Sequence, residues 1–433
     1  MAVSLAPQAG KAFAQMPNIR GRQTKRRGVH PTTILALTFI IPQLLFQSHL
    51  AAFLGSGFVR LCLGLSALAI VIGAFTVFVS GRLGIFALFI FMTALLVGQM
   101  YVFQMQTYAP LNWNALLQYL PVLAFAIFCT KGLQFELFFR VLFWCSLAYS
   151  LVYVLLYDQL ISASLAAEDG LVPVLVSDGT RPSRLFLASG FPAFVLFYSL
   201  PRVFQKGGLP WAISALIGLM AVVSAQTRLF LVLLIFVSLL YLVGAASRFF
   251  RKVLAFIFVV VALYSVAGVL FPGAGLFNAL AFDASGAARL RSASVLQFVL
   301  EQRWFQGIGI APDRAMQVYV MGGDPYMYWE DLGPLGIWYT FGLVGLVAYI
   351  WHAVICILGA QPNEVLSKPD SHALTLLGIA SGVYSILAPG IWVGGSTFVL
   401  GLILAARVAN AEVLSQRAQE LLRVRPSGQA TPA

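Results

Sequence analysis

An isolated arginine in an apolar stretch is the first residue of this chain whose type and position point to chemistry. The segment SAQTRLFLVLLIF, residues 224–236, contains Arg228, which is the only charged residue among the 41 that separate Lys206 from Arg248. A stretch of that length is too long for one membrane-spanning helix, which needs about 20 residues, and it suits two. Since basic residues mark both ends, we expect the chain to turn near Arg228 on the far side of a membrane.

The position of Arg228 has two interpretations. In the first, its side chain extends to the lipid headgroups, which is a purely structural role. In the second, its guanidinium faces a water-filled space in a helix bundle and binds an anion. A guanidinium presents a planar set of donors that matches two phosphate oxygens, and it stays charged at physiological pH.

The other basic residues favour anion binding. When the N-terminus is placed inside, all six lysines fall on the cytoplasmic side of the predicted topology. The outer side holds ten of the fifteen acids and, instead of lysine, eight arginines: Arg60, Arg181, Arg184, Arg228, Arg289, Arg291, Arg303 and Arg314. Arginine used in this way suits a phosphate or pyrophosphate ligand. The net charge of +12 comes mainly from tails and short loops, so it indicates orientation in a membrane and no nucleic-acid partner.

Long apolar segments must position these arginines. The chain is 60% hydrophobic and 10% charged with a mean hydropathy of +0.89, whereas soluble domains carry about 25% charged residues. We predict an all-α, polytopic bundle of about twelve transmembrane spans, within a range of about 10 to 13. The predicted spans lie near 31–50, 58–79, 83–104, 113–130, 136–157, 184–204, 209–226, 228–247, 252–271, 333–358, 372–389 and 391–408.

This topology divides the chain into a basic cytoplasmic tail (1–30), a membrane domain (31–408) and a cytoplasmic C-terminal tail (409–433). Two long outer loops, 158–183 and 272–332, are expected to carry any extracytoplasmic chemistry.

The larger loop contains ARLRSASVLQFVLEQRWF, which predicts an amphipathic helix on the membrane surface. Its polar side comprises Arg291, Ser294, Glu301 and Gln302, and its apolar side comprises Ala293, Leu296, Val299 and Leu300. The four cysteines lie within or at the ends of apolar runs, so we expect no disulfide framework, metal site or cofactor.

Four segments, in order, resemble the superfamily of O-antigen ligases and Wzy-type polysaccharide polymerases. SAQTRLFLVLLIF resembles its Ser-x-(Ser/Thr)-Arg helix start, and SRLFLASGFPAF, which contains Arg184, is similar to its arginine-rich span after the first outer loop. SGAARLRSASVLQFVLEQRWFQGIGI resembles its loop pattern of arginine, amphipathic helix and Gly-x-Gly. DLGPLGIWYTFGLVGLVAYI resembles its return into the membrane. The resemblance covers roughly residues 180–350.

One departure favours polymerase over ligase. Ligases of the superfamily carry a His-Asn pair shortly before the return into the membrane, where this chain reads GGDPYMYWEDLGPLG. Its histidines, at positions 30, 49, 352 and 372, lie outside that loop.

The resemblance implies a metal-independent glycosyltransferase in the bacterial inner (cytoplasmic) membrane, with both termini cytoplasmic. It would polymerise undecaprenyl-pyrophosphate-linked oligosaccharide repeats into exopolysaccharide or O-antigen, with a flippase and a chain-length regulator as pathway partners and membrane lipid around it. Arginines would stabilise the charge that develops on the leaving pyrophosphate. Arg228, Arg289 and Arg291 are the catalytic candidates, and Arg181, Arg184, Arg303 and Arg314 are candidates for substrate binding.

An acceptor hydroxyl needs a base within hydrogen-bond reach. Glu330 and Asp331 are the candidates, with Asp313 and Asp324 as alternatives. The structural interpretation is that Glu330 and Asp331 cap the next helix, where the dipole favours carboxylates. The aromatic side chains that would stack on sugars, or form an interfacial belt instead, are Tyr326, Tyr328, Trp329 and Trp338.

Three alternatives stay open at this point. One is an O-antigen ligase that transfers glycan to a lipid or protein acceptor. Another is a lipid-linked oligosaccharide flippase, which would be expected to show internal repeats and paired broken helices. The third is a membrane glycosyltransferase of another family, which would more often carry an acidic motif in the first outer loop.

Overall fold

The computed structural model describes residues 28–111, 113–117, 119–166, 175–176, 184–244, 247–271, 276, 284–312, 316–317, 320, 329–360 and 365–424. The α-helices within these residues are α1 (Pro31–Gln47), α2 (Ser56–Val79), α3 (Leu83–Thr107), α4 (Asn114–Leu117), α5 (Phe125–Phe128), α6 (Phe135–Leu155), α7 (Tyr157–Ala166), α8 (Gly190–Lys206), α9 (Leu209–Ser224), α10 (Arg228–Leu242), α11 (Arg248–Leu270), α12 (Ala284–Arg303), α13 (Gly333–Leu358), α14 (Lys368–Tyr384) and α15 (Thr397–Val424). Short 3-10 helices cover Leu50–Leu54, Leu120–Ala124 and Trp329–Asp331. Two two-residue strands, β1 (Leu175–Val176) and β2 (Arg184–Leu185), pair antiparallel.

Many of the helices have the length and composition of membrane spans. Six of the described helices are long and apolar enough to cross a membrane: Ser56–Val79, Leu83–Thr107, Phe135–Leu155, Arg248–Gly268, Gly333–Leu358 and Thr397–Glu420. Shorter apolar helices are α1, α9 and α10. The chain is therefore a helical, multi-pass membrane protein, as the composition predicts.

Helices on the outside of the bundle expose apolar side chains, which is the surface that a lipid environment solvates. Phe75 of α2, Val232 of α10 and Phe256 of α11 are each more than 60% exposed. The central helices α8 and α14 are instead buried on nearly every side and carry polar residues such as Ser199 and Thr375. Because these helices face protein and not lipid, their sequences need not be uniformly apolar.

The predicted span near 113–130 is not a continuous helix. The chain there passes from α4 through the 3-10 helix Leu120–Ala124 into α5. Pro121 has no N–H and cannot continue an α-helix from the preceding turn. The irregular backbone is covered by protein, since positions 121 to 130 are all buried, and irregular backbone at membrane depth is tolerated only under such cover.

Two other predicted span boundaries do not coincide with helix ends. Helix α8 begins at Gly190, because Arg184 and Leu185 form strand β2 before it. The last helix runs over Thr397–Val424, so the predicted boundary at 408 falls inside α15, and residues 391–396 lie before that helix. Those six residues are nevertheless well packed: Ile391 and Trp392 are fully buried.

Side-chain contacts sort the ends of the helices into two groups. At one end, which we call the lysine end, His30 N donates to Gln134, Thr32 donates to the carbonyl of Lys131, and Arg202 pairs with Asp370. At the other, which we call the loop end, Tyr153 donates to the carbonyl of Leu185, and Gln47 donates to Thr397. The two names follow the predicted topology, which puts the junctions that contain lysine on one side of the membrane and the two long loops on the other.

Candidate functional site

Helix α12 forms the loop-end surface with the faces that the sequence predicts. Leu296 and Leu300 are fully buried, whereas Arg291, Ser294, Glu301 and Gln302 are exposed. Phe298, which breaks the predicted separation, is 65% exposed. The apolar side packs against the protein, so α12 holds its arginines at the bundle surface.

A short extended segment follows α12 and attaches α12 to α13, a helix that is interrupted part-way. Helix α13 is interrupted at Gly342, whose φ of 67° is outside the helical region. The carbonyls freed by this break accept from the segment that follows α12: Ile308 N donates to Tyr339 O at 2.7 Å, and Gly309 N donates to Thr340 O at 3.1 Å. In return, Leu343 N donates to Phe305 O at 2.9 Å. These bonds satisfy backbone groups that have no partner within α13.

The Gly-x-Gly motif has a steric role at this junction. Gly309 has a φ of 90°, and a Cβ there would overlap the carbonyl oxygen of Gln99 on α3. A Cβ at Gly342 would overlap the carbonyl of Phe305. Only glycine combines the left-handed conformation with this closeness of backbones.

Two predicted catalytic groups come together just before α13. The Nε of Arg289, on α12, donates to the backbone carbonyl of Asp331 at 3.3 Å. The carboxylate of Glu330 accepts from Gln317 Nε2, at 3.3 Å to each oxygen. Glu330 is half-buried, whereas Asp331 is exposed. The Arg289 guanidinium therefore lies beside the backbone of the segment that carries both carboxylates.

The two carboxylates lie directly before the N-terminus of α13. The N-cap residue of α13 is Leu332, and Pro334 follows in its first turn. Glu330 and Asp331 belong to the preceding 3-10 helix. Neither is at the N-cap position itself, but both are close to the helix N-terminus, where the dipole favours carboxylates.

Arg228 stands at the turn that the sequence predicts. Helix α9 ends at Ser224, Gln226 has a positive φ of 55°, and α10 begins at Arg228. The Arg228 side chain is exposed and lines a shallow cavity of about 210 Å³ with Gln226, Thr227 and residues of both helices. No carboxylate of the described residues pairs with it.

The described contacts do not join Arg228 directly to Arg289. Between them lies the packed end of α14: Phe230 meets Tyr384 edge-on at 4.9 Å between ring centroids, and Gly333 adjoins the backbone of Ile386. Both arginines therefore lie at the loop end, but in different parts of it. Arg291 is exposed on the polar side of α12.

Three of the candidates for substrate binding make packing contacts or hydrogen bonds inside the protein instead. Trp329 is only 3% exposed, with its ring near Tyr119 (6.4 Å) and Phe341 (6.3 Å), so its place is in the core and not at a sugar-binding surface. Trp338 is also buried and donates to the carbonyl of Trp304 at 2.5 Å.

The third, Arg303, is half-buried and donates through Nη1 to Gln106 Oε1 on α3. Gln106 Nε2 in turn donates to the carbonyl of Gly307 at 3.1 Å. Arg303 therefore anchors the end of α12, which explains it without a substrate.

Other predicted site residues lie outside the described residues: Arg181, Arg314, Tyr326, Tyr328, Asp313 and Asp324. For Arg184 the structure describes the backbone alone, which pairs with Val176.

A buried polar network at the loop end escaped the sequence reasoning. Gln47 Nε2 donates to Gln43 Oε1 at 2.9 Å and lies 3.2 Å from Thr397 Oγ1, and Gln43 Nε2 donates to Ser66 Oγ at 2.8 Å. The sequence does contain a pattern that indicates this network, because two glutamines four residues apart share one face of an apolar helix. Polar groups in that setting need partners on neighbouring helices.

Comparison with protein-family profiles, characterised proteins and solved structures gives no match to the chain. A functional assignment must therefore rest on the residues themselves. Among the described residues, no cluster of three His, Cys, Asp or Glu side chains has a metal-binding arrangement.

Proposed function

We propose that this protein is a membrane glycosyltransferase that polymerises oligosaccharide repeat units carried on undecaprenyl pyrophosphate. One observation carries the proposal: Arg289 holds the backbone beside Glu330 and Asp331, so a pyrophosphate-binding group and a candidate base share one surface. The arginine for developing negative charge and the carboxylate for an acceptor proton are the two functions that this reaction needs.

The reaction forms one bond and breaks one. The acceptor hydroxyl at the non-reducing end of one lipid-linked repeat attacks the anomeric carbon of the donor glycan. The bond from that carbon to the phosphate oxygen breaks, and its electron pair leaves with undecaprenyl pyrophosphate. The hydroxyl proton passes to a carboxylate. Glu330 is the better positioned of the two, since Gln317 holds its carboxylate in a half-buried position.

The proposed reaction requires one orientation in the membrane. We place twelve crossings, with the broken segment from Asn114 to Phe128 as the fourth, both termini cytoplasmic and the loop end outside. In that orientation, Lys131, Lys252 and Lys368 fall on the cytoplasmic side, while Arg60, Arg228, Arg289, Arg291 and Arg303 fall on the outer side. The loop end then faces the compartment in which lipid-linked repeats are polymerised.

The test is the fate of the lipid-linked glycan in cells that lack the protein. Loss of a polymerase leaves single repeat units on undecaprenyl pyrophosphate in the outer leaflet, and glycan analysis with a membrane-impermeant label detects them. Single units confined to the inner leaflet would identify a flippase. Long polymer that stays on the lipid carrier would identify a ligase. Either of the last two results overturns the proposal.

A further inference from the structure

The lysine end contains a small cavity surrounded by cations. The side chains of Arg248, Arg251 and Lys252 from the first turns of α11 meet Arg407 of α15 and Leu358 of α13 around a space of about 100 Å³. Among the described residues, no carboxylate forms an ion pair with any of these four basic groups. Four like charges around one space repel each other unless an anion lies between them.

Two of the four guanidiniums are fixed in place by the end of α13. Arg251 Nη1 donates to the carbonyl of Leu358 and lies 3.4 Å from that of Ala360. Arg407 Nε and Nη2 donate to the carbonyl of Gly359 at 3.1 Å and 3.0 Å, and Nη2 also approaches Ile355 O at 3.3 Å. The carbonyls at a helix C-terminus carry partial negative charge and can hold cations in this way.

One buried donor remains without a protein acceptor. Arg251 is 5% exposed, and its Nε has no hydrogen-bond partner among the described residues. A buried, unpaired N–H of a charged group is costly, so this one calls for an acceptor from beyond the described residues, which a bound anion supplies. Arg248 is also the first residue of α11, where backbone N–H groups favour an anion.

We propose that this cavity binds the phosphate of an anionic phospholipid headgroup. A space of about 100 Å³ suits one phosphate better than the larger sugar pyrophosphate. The site lies at the first turn of a helix of membrane-spanning length, at the level expected for headgroups. Arg248 and Lys252 are exposed, so a headgroup can reach them from the bilayer. Basic pockets between helices on the cytoplasmic side bind such headgroups in general.

The test compares lipid binding of the full-length protein in nanodiscs of phosphatidylcholine with and without phosphatidylglycerol. Native mass spectrometry counts the phosphatidylglycerol that stays bound. The double variant Arg248→Gln/Lys252→Gln changes only exposed side chains and should bind this lipid about 25-fold more weakly, at roughly fivefold for each charge. The matched control is Arg140→Gln/Lys131→Gln, which removes two exposed cations from the same end but outside the cavity. This control should bind as the wild type does, and an equal loss in both double variants would overturn the proposal.

Inorganic phosphate distinguishes the source of the anion. If millimolar phosphate stabilises the protein in pure phosphatidylcholine and phosphatidylglycerol adds nothing, the phosphate site stands and its lipid source is overturned. Glu364 is the acid closest in sequence to Ala360, and it lies outside the described residues. If Glu364→Gln binds phosphatidylglycerol while the wild type does not, that carboxylate is the anion of the site, and the proposal is wrong.

Discussion

At the residue scale, the structure separates arginines that already have structural partners from those that remain available. Arg303 donates to Gln106 of α3, so packing accounts for it. Arg228 and Arg291 are exposed at the loop end. An exposed guanidinium at that depth is available either to lipid headgroups or to a pyrophosphate, and substitution by lysine distinguishes the two.

If Arg228 binds pyrophosphate, Arg228→Lys and Arg228→Ala should both abolish long polymer while single lipid-linked repeats accumulate. Lysine keeps the charge but loses the paired donors, and loss of such a contact in the transition state costs about 2.7–4 kcal/mol, or roughly 10²–10³ in rate. The measurement is the glycan length distribution at matched membrane levels of protein. Arg60 is an exposed arginine at the same end, so Arg60→Lys is the control. This variant should leave the glycan length distribution unchanged. Wild-type lengths from Arg228→Lys would make Arg228 a lipid anchor.

The two carboxylates before α13 should differ in effect. Glu330→Gln is expected to lower polymerisation by about 10²–10⁴, the usual contribution of a general base. Asp331→Asn should lower it by less, because Asp331 is exposed whereas Glu330 is half-buried. Gln317→Ala should lower the rate partially. The rates are measured in proteoliposomes with lipid-linked repeat units from the host. Normal turnover by Glu330→Gln would remove this residue from the mechanism.

At the scale of elements, the junction of α12 with the broken helix α13 decides how the candidate site is held. Hydrogen bonds join residues 305–310, which follow α12, to α3 and to α13 at its break at Gly342. Three elements are therefore connected within a few residues. Gln99 contributes twice, since its carbonyl accepts from Ile310 N and its Nε2 donates to the carbonyl of Phe341. A change there should therefore act on stability and activity together.

Gly309→Ala is expected to destabilise the protein strongly, since an added Cβ overlaps α3 and the left-handed conformation alone costs about 1–2 kcal/mol. The measurement is thermal unfolding in detergent micelles. Gly98→Ala is the matched control, because a Cβ at Gly98, next to Gln99, meets nothing within 4 Å. In the control, alanine in a helix should leave stability unchanged or raise it by up to about 1 kcal/mol. Equal stability of the two variants would show that the Gly309 junction does not constrain the fold.

At the scale of the whole molecule, polar contacts inside the bundle link segments that are far apart in sequence. Arg202 and Asp370 form a buried ion pair at 2.5 Å between α8 and α14, with the Arg202 guanidinium 3.5 Å above the centre of the Tyr198 ring. At the opposite end, hydrogen bonds from Gln47 to Gln43 and to Thr397 join α1 to α15. Each group of contacts belongs to one end of the bundle, which is the arrangement expected if each end lies on one side of the membrane.

Reporter fusions test that arrangement. Fusions after residues 170 and 300 should report an extracytoplasmic position, and fusions after residues 206 and 368 a cytoplasmic one, because lysine favours the cytoplasmic side. An enzymatic reporter active only outside and a fluorescent reporter active only inside provide opposite readouts. A cytoplasmic signal from the fusion after residue 300 would place α12 and its arginines on the wrong side for the proposed reaction.

The sequence by itself determined the features that depend on local composition. Apolar runs predicted the membrane helices, the lone Arg228 marked a turn, and periodicity predicted both faces of α12. These features follow from one segment and its solvent, so no distant contact is needed to predict them.

Only the tertiary structure decided which side chains are accessible to a ligand and which are occupied by contacts within the protein. Trp329 and Arg303 have the residue types of a binding site, yet distant partners on other segments, Tyr119 and Gln106, account for both. The breaks at Pro121 and Gly342 occur inside apolar segments that predict continuous helices, because the partners that satisfy or cover the irregular backbone come from elsewhere in the chain. Hydrogen bonding and steric fit between distant segments depend on three-dimensional proximity, which local composition does not determine.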